Sequence, residues 1–582
     1  MNLEPLPAGV RTREDAPSEV DRAVETAASR AEDLVKLPAP KRAELLDRVA
    51  EGLARVAADM VALGCEAKGI TRGSPAESEE WFAGPNVCIG LARHHAAALR
   101  NIARKGRPGL SGWDVRRTRE GRVVTRLGPI FPGGGVVETG MSFRVLHQPG
   151  TSKVDVAEGQ AALARIATTG GPSHEPGTTA VLGAGNVASI PVADVIHALF
   201  VENRTAVLKM NPVNAYLRGP FERAFAPLIE AGYVQIVDGG AAVGAHLVGH
   251  RGVTHVHLTG SADTHDRIVW GPPGPEREAR KAKGEPLLKK PVTSELGNVS
   301  PVIVTPYLYS MGEIRAMAEN IATQIANNGS FNCNAGKMLV LPKGFPQRRL
   351  LLDTLVSVLE KVPLRKAYYP GAKDRHHALT EGRAGVVHVG RPAEGELPWS
   401  LITEVDAGAA REPLFFTEPF CSLLSVVEVG CLQPAEMLEE AVKFCNTRLW
   451  GTLSACLFVP PLFEDDGDVE HAVEKAIVGL EYGAIGVNTW PALVYATPRA
   501  PWGGHPNATL ADVQSGIGFV HNPLLLPKIE KVIVHGPLAP VPRPPFLVGH
   551  KHGLAAARRL VAWADNPGLG AALGVVRATL FG

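Results

Sequence analysis

The fold class predicted for this chain is α/β, with parallel sheets in more than one unit, and three observations carry it. From residue 179 short apolar runs alternate with longer helical stretches, the pattern of parallel strands covered by helices on both faces. A second alternating region opens at VSPVIVT (299–305) and continues to about 500. The chain has 582 residues, more than one small core accommodates.

Taken in order, residues 1–16 read as a loose tail. From Pro40 to about Gly69, Leu45, Val49, Val56, Met60 and Leu63 recur in steps of three, four and seven, with Leu46 and Leu53 beside them, which marks one face of a long helix. The stretch 104–178 is rich in Gly and Pro and shows no clear period. TAVLG (179–183) then reads as a strand, IPVADVIHALFVEN (190–203) as a helix and TAVLKM (205–210) as a strand. A helix from about Gly219 to Gly232, the strand VQIV (234–237), a helix at about 242–249 and the strand VTHVHLTG (253–260) follow. GPPGPEREARKAKGEPLLKKP (271–291) reads as a solvated insertion. After PWGG (501–504) the chain crosses back through KVIVH (531–535). Pro537, Pro540, Pro542, Pro544 and Pro545 then lead to a tail helix at about 553–564. There is no internal repeat.

Apolar residues make up 45% and charged residues 20%, the balance of a soluble globular protein. Sixty basic residues against 59 acidic give a net charge of +1, which excludes a field strong enough for nucleic acid or an anionic membrane. No apolar run approaches the roughly 20 residues of a membrane span. The start lacks the apolar core of a signal peptide. Seven scattered cysteines with no CxxC pairing suggest neither zinc nor a disulfide framework, so no metal and a reducing cytoplasm are expected.

NGSFNCNAG (328–336) admits two readings. Asn328-Gly329-Ser330 is a formal glycosylation acceptor, but Asn298-Val-Ser300 and Asn507-Ala-Thr509 match equally well, and the expected compartment has no machinery to use them. The second reading is a nucleophilic thiol. Cys333 sits among Asn332, Asn334, Ala335 and Gly336, neighbours too small and polar for a core, whereas Cys421, Cys445 and Cys456 lie in apolar elements and read as small buried hydrophobes. Gly183-Ala-Gly185-Asn-Val-Ala188 formally fits the dinucleotide fingerprint. The next strand ends in Lys209 and Met210 where the fingerprint wants an acid, and Glu202 falls too early, so a plain strand–turn–helix fits as well.

Several ordered motifs together resemble the aldehyde dehydrogenase superfamily over roughly residues 40–535. They are VLGAGNVASIP with TAVLKMNP, HLTGS (257–261), SELGNVSPVIV (294–304), Cys333-Asn-Ala-Gly336, Glu418-Pro-Phe420, and GVNTW (486–490) followed by PWGG. The resemblance implies a Rossmann-type cofactor domain at 17–294 with an oligomerisation hairpin within 104–178, and an α/β catalytic domain at 295–500. A returning oligomerisation segment at 501–536 and a C-terminal extension at 537–582 complete it. It further implies oxidation of a small-molecule aldehyde in a homodimer or homotetramer, with NAD as cofactor and NADP possible. Cys333 matches the nucleophile, Asn186 the oxyanion donor beside the Cys333 N–H, and Glu295 the base that activates water. Lys209, Gly240, Gly260, Ser261, Glu418 and Phe420 match cofactor contacts.

The chain departs from the pattern at several points. Ser330 and Phe331 stand where the family carries Gly-Gln, and Phe331 is expected either to face the substrate or to fill a core gap. Asn298-Val299 replaces Gly-Lys, His265 stands where a second glycine often follows the Gly-Ser turn, and Trp502 replaces a Phe. Pro212 occupies the position of the glutamate that NAD-selective members carry, so no carboxylate there repels a 2′-phosphate. A coenzyme A-acylating relative and a non-catalytic scaffold remain as alternative readings. The tail is expected to dock on the enzyme.

Overall fold

Five strands, Thr178–Leu182, Thr205–Lys209, Val234–Val237, His255–Gly260 and Val292–Leu296, form an all-parallel sheet in which the 178 strand lies between the 205 and 255 strands. This computed structural model describes residues 13–110, 114–128, 137–138, 140–171 and 174–581. The 178 strand is buried throughout, and helix Ser189–Phe200, apolar nearly all round, lies against it with almost every residue buried. Pairing of Leu182 with Lys209 and Leu258, and of Thr259 with Glu295, aligns the carboxyl ends of the strands along one edge. Neighbouring strands leave from that edge to opposite sides of the 178 strand, the place where open α/β sheets bind ligands.

A second sheet has 11 strands. Its centre is parallel and runs through Ile529–His535, Ala484–Val487, Ser454–Phe458, Pro301–Val304, Met338–Pro342, Leu423–Val429 and Trp399–Val405. Val115–Arg117, Val123–Arg126 and Ser142–His147 extend it antiparallel beyond Ile529–His535. The stretch 104–178 thus does carry strands, but VRR and VVTR are too short and too charged for a two-residue period to register.

The long helix is Ala39–Lys68, ended by Gly69 at φ +66°. Its most buried leucines are Leu46 and Leu53, while Leu45 and Leu63 are half-buried, so the core face is turned one position from the expected stripe. A Cβ on Gly52 would lie 2.7 Å from the Ala224 carbonyl oxygen, so this helix packs backbone to backbone on Arg218–Ala224. Two helices that the pattern did not announce, Pro17–Ser29 and Ala31–Lys36, precede it. The insertion at 271–291 contains the helix Pro275–Lys283, which buries nothing. Two tail helices, Gly553–Asp565 and Leu569–Phe581, pack on each other, and the first packs on Glu77–Trp81, the π-helical turn Phe82–Asn86 and Val87–Lys105. The expected docking of the tail is therefore observed, with one helix more than expected.

Candidate active site

Cys333 owes its position to a tight reversal after helix Met311–Ala326. Asn328, Gly329 and Ser330 all take left-handed φ, at 53°, 64° and 71°, which turns the chain back under the thiol. The reversal is held by the buried side chain of Asn328. Its Nδ2 donates to the carbonyls of Asn186 and Phe331, at 3.0 and 3.1 Å, and its Oδ1 accepts from Lys68 Nζ and Tyr368 OH, at 3.1 and 2.9 Å. The formal glycosylation acceptor is thus a fully engaged interior residue. Lys68 is itself buried against Glu80, with an Nζ–Oε1 distance of 2.8 Å. From the other side Lys337 Nζ donates to the Asn332 and Ala335 carbonyls, at 2.8 and 3.3 Å, and lies 3.8 Å from Glu418 Oε1. Two buried lysines therefore clamp the loop that carries Cys333, each matched with a glutamate.

Glu295, at the carboxyl end of its strand, is 3% exposed and lies beside Cys333 and Trp502. Burial, then the charge of Asp194, pushes its carboxyl up to about 7 against the opposing pull of Cys333, Trp502 and His257. Burial and the neighbouring Glu295 charge in turn push the Cys333 thiol well up. Behind Glu295, Asp194 accepts from Thr259 Oγ1 at 3.0 Å and lies 3.3 Å from His257 Nε2. Asn186 Nδ2 donates to the Phe331 carbonyl at 2.9 Å, two residues before Cys333. An amide carries two N–H groups, so a second remains for another acceptor.

Phe331 fills a core gap and does not face the substrate side. It is 1% exposed and packs edge-on against Tyr368 at 4.8 Å and against Tyr369 and Phe420 at 5.9 Å. Phe420 takes φ +42° and is wedged against Tyr369 at 4.8 Å. Burial pushes the Glu418 carboxyl up to about 7, with Lys337 and Arg375 opposing. Room for Glu418 comes from Gly297, where a Cβ would fall 1.9 Å from Glu418 Oε2.

The other predicted cofactor contacts gather at the sheet's carboxyl edge. Burial lowers Lys209 to about 8 against the charges of Asp238 and Glu14. Gly240 precedes the helix Ala241–Gly249. Exposed Gly260 and Ser261 start the helix Ala262–Val269, where Ser261 Oγ accepts from Thr264 N–H at 3.2 Å. Glu14 comes within 3.3 Å of where a Gly240 Cβ would sit, so the N-terminal segment supplies the carboxylate that Pro212 does not. His265 is fully buried, its Nδ1 3.4 Å from Asp266 Oδ1.

Sequence inspection missed Lys68, Glu80, Lys337, Tyr368 and Glu14. It also passed over residues 515–517, which cover the edge of the five-stranded sheet. Ser294 and Leu296 N–H donate to the Ile517 and Ser515 carbonyls, both at 2.9 Å. Gly516, at φ +109°, lies so close that a Cβ would sit 2.0 Å from the Ser294 oxygen. The repeated glycines of SGIG were the available signal.

Residues 177–372 match the aldehyde dehydrogenase family. That stretch carries an aldehyde dehydrogenase family domain. The chain is 25% identical over 382 residues to N-succinylglutamate 5-semialdehyde dehydrogenase of Vibrio cholerae serotype O1, covering 62% of this chain and 70% of that protein. Its fold is similar to that of the aldehyde dehydrogenase KauB from Pseudomonas aeruginosa, with a TM-score of 0.60 and 17% identity over 90% of this chain and 89% of the other. It is also similar to NADP-dependent glyceraldehyde-3-phosphate dehydrogenase from Bacillus halodurans C-125, solved with NADP, with a TM-score of 0.57 and 18% identity over 90% and 92%. At these identities the structural likeness is one of fold. Among the described residues no helix is long and apolar enough to cross a membrane.

Proposed function

We propose that the protein oxidises an aldehyde to a carboxylic acid with NAD as its main cofactor. The observation that carries this reading is the half-buried Cys333 thiol beside the buried Glu295 carboxylate, in a loop whose Asn332 and Asn334 line a large cavity. The Cys333 thiol gives its proton to solvent as the aldehyde arrives, and the thiolate sulfur attacks the carbonyl carbon. The oxyanion receives the free N–H of the Asn186 amide and the Cys333 backbone N–H. NAD, when bound, supplies the hydride acceptor. Lys209 and Glu14 would hold its adenosine ribose, the exposed 260–261 helix start with Gly240 its phosphates, and Glu418 with Phe420 its nicotinamide end. The buried Glu418 Oε1, which meets Lys337 only at 3.8 Å and accepts no hydrogen bond, and the open helix start suit that group. Glu14 beside Lys209 would face a 2′-phosphate, which supports NAD over NADP.

The acyl group then remains on Cys333 as a thioester, and the deprotonated Glu295 carboxylate takes a proton from the attacking water. Among the described residues the larger sheet ends on Val115–Arg117, whose outer edge has no strand beside it; this supports assembly into a homodimer or homotetramer through that hairpin. A cytoplasmic location belongs to the same reading.

Absorbance of the reduced cofactor over an aldehyde panel tests the assignment. Turnover is expected without coenzyme A, and strict dependence on coenzyme A would assign the acylating reaction instead. Gly297→Ala tests the cofactor end. A methyl group there displaces Glu418, and kcat/KM for NAD is expected to fall about 10²-fold, as for a misplacement of about 1 Å. An unchanged KM and kcat for NAD in a folded Gly297→Ala protein would remove Glu418 from the cofactor site.

A further inference from the structure

On the reading that Cys333 is the nucleophile, we propose that the cavity beside it holds the hydrocarbon chain of an uncharged, long-chain aldehyde, with residues 538–579 of the tail as its far wall. The cavity, about 630 Å³, is continuous from Asn332 and Asn334, which flank Cys333, to Leu538, Phe546, Ala564 and Val575. That size lies within the range of small-molecule sites, and most of the surface is carbon. At the near end Trp490 Nε1 donates to the Asn334 carbonyl at 2.8 Å, so the indole is fixed beside the nucleophile's loop.

The charged groups on the wall are already matched with one another. Glu138 pairs with Arg499 at 2.6 Å, Glu319 with Arg543 at 3.0 Å and with Arg315 at 3.3 Å, and Glu79 with Arg365 at 2.6 Å. His94, pushed down to about 3 by burial, carries no charge near neutrality. Each of these groups has a partner, Glu319 being shared by Arg543 and Arg315, so an ionic ligand would have to compete with an existing ion pair. An alkyl chain would lose water along the carbon-lined part of the wall.

The far wall is anchored in place. Arg558 pairs with Glu77 at 2.9 Å, Asp565 with Arg93 at 3.0 Å, and Val548 N–H donates to Thr323 Oγ1 at 3.0 Å. Burial opposes the Glu77 charge, but hydrogen bonds from Gly73 N–H, Trp81 Nε1 and Arg558 hold its carboxyl down to about 2. A fixed apolar end at a set distance from a fixed thiol measures chain length.

The test compares propanal through dodecanal with the full-length enzyme. kcat/KM is expected to rise about fourfold per added methylene (~0.8 kcal/mol each) until the cavity is filled. Ala564→Phe, and Val576→Phe on the second tail helix, should each lower the dodecanal-to-propanal ratio by about tenfold or more. Dodecanoate binding, followed by calorimetry, should weaken in parallel. If propanal is oxidised but the profile is flat, or both variants keep the wild-type ratio, the chain pocket is wrong and the aldehyde reaction stands. If no aldehyde is oxidised yet dodecanoate binds and both variants weaken it, the pocket stands and the role of Cys333 falls. Failure of both turnover and dodecanoate binding removes both.

Discussion

Replacing Cys333 by alanine is expected to lower aldehyde oxidation by about 10⁴-fold or more, the scale on which removal of a covalent nucleophile acts. The geometry gives the reason. Of the seven cysteines, Cys65, Cys88, Cys421, Cys445 and Cys456 are buried in the core, and Cys431 lies on a surface turn against Glu436. Cys333 combines a neighbouring buried carboxylate, Glu295, with flanking residues, Asn332 and Asn334, that line the cavity. No neighbour can replace it, because Asn332 and Asn334 carry amides and Lys337 is committed to two backbone carbonyls. Intact-mass spectra with a slow aldehyde should show an adduct on the wild type and none on Cys333→Ala. Near-normal turnover by a folded Cys333→Ala protein would end the thiol mechanism.

Four strands of the five-stranded sheet were legible because they are apolar runs broken by small-residue turns, and a strand buried on both faces writes that signature directly. The fifth, Val292–Leu296, was not, because Thr293, Ser294 and Glu295 interrupt its apolar run. Cys333, Glu295, Asn186 and Glu418 were legible because each sits in a short motif, and the motifs occur in one order. The clamps around them were not. Lys68, Glu80 and Asn328 meet across as many as 260 positions of sequence, and each alone looks like a solvated side chain. Lys337 reads as a strand-edge charge until its burial is seen. The second tail helix was missed because Leu569–Phe581 mixes apolar residues with Gly570 and Gly574, which blur a helical period. The placing of the tail against the cavity depends on ion pairs such as Arg558–Glu77 that no local pattern records.

Glu295→Gln is expected to separate the two halves of the reaction. The amide preserves shape and cannot accept a proton from water, so oxidation on Cys333 proceeds once and deacylation stalls. A burst of reduced cofactor close to one per active site should precede a steady state slowed by about 10²–10⁴-fold, the usual worth of a general base. Acyl-enzyme should accumulate on Cys333 and be visible by mass. The wild type carries a matching signature in pH. Burial and the charge of Asp194 bring the Glu295 carboxyl to about 7, and the acting form is the deprotonated one. Where deacylation limits turnover, kcat should therefore climb as pH rises through about 7 and level off above it, a limb that Glu295→Gln should lack. Asp194 adds a second check. Its charge, beside Thr259 and His257, helps to raise the Glu295 carboxyl, so Asp194→Asn should shift that limb to lower pH. A Glu295→Gln enzyme that turns over at the wild-type rate without a burst would show that another group activates water. Rescue of that variant's turnover by coenzyme A, with the wild type also requiring it, would move the assignment to acyl transfer.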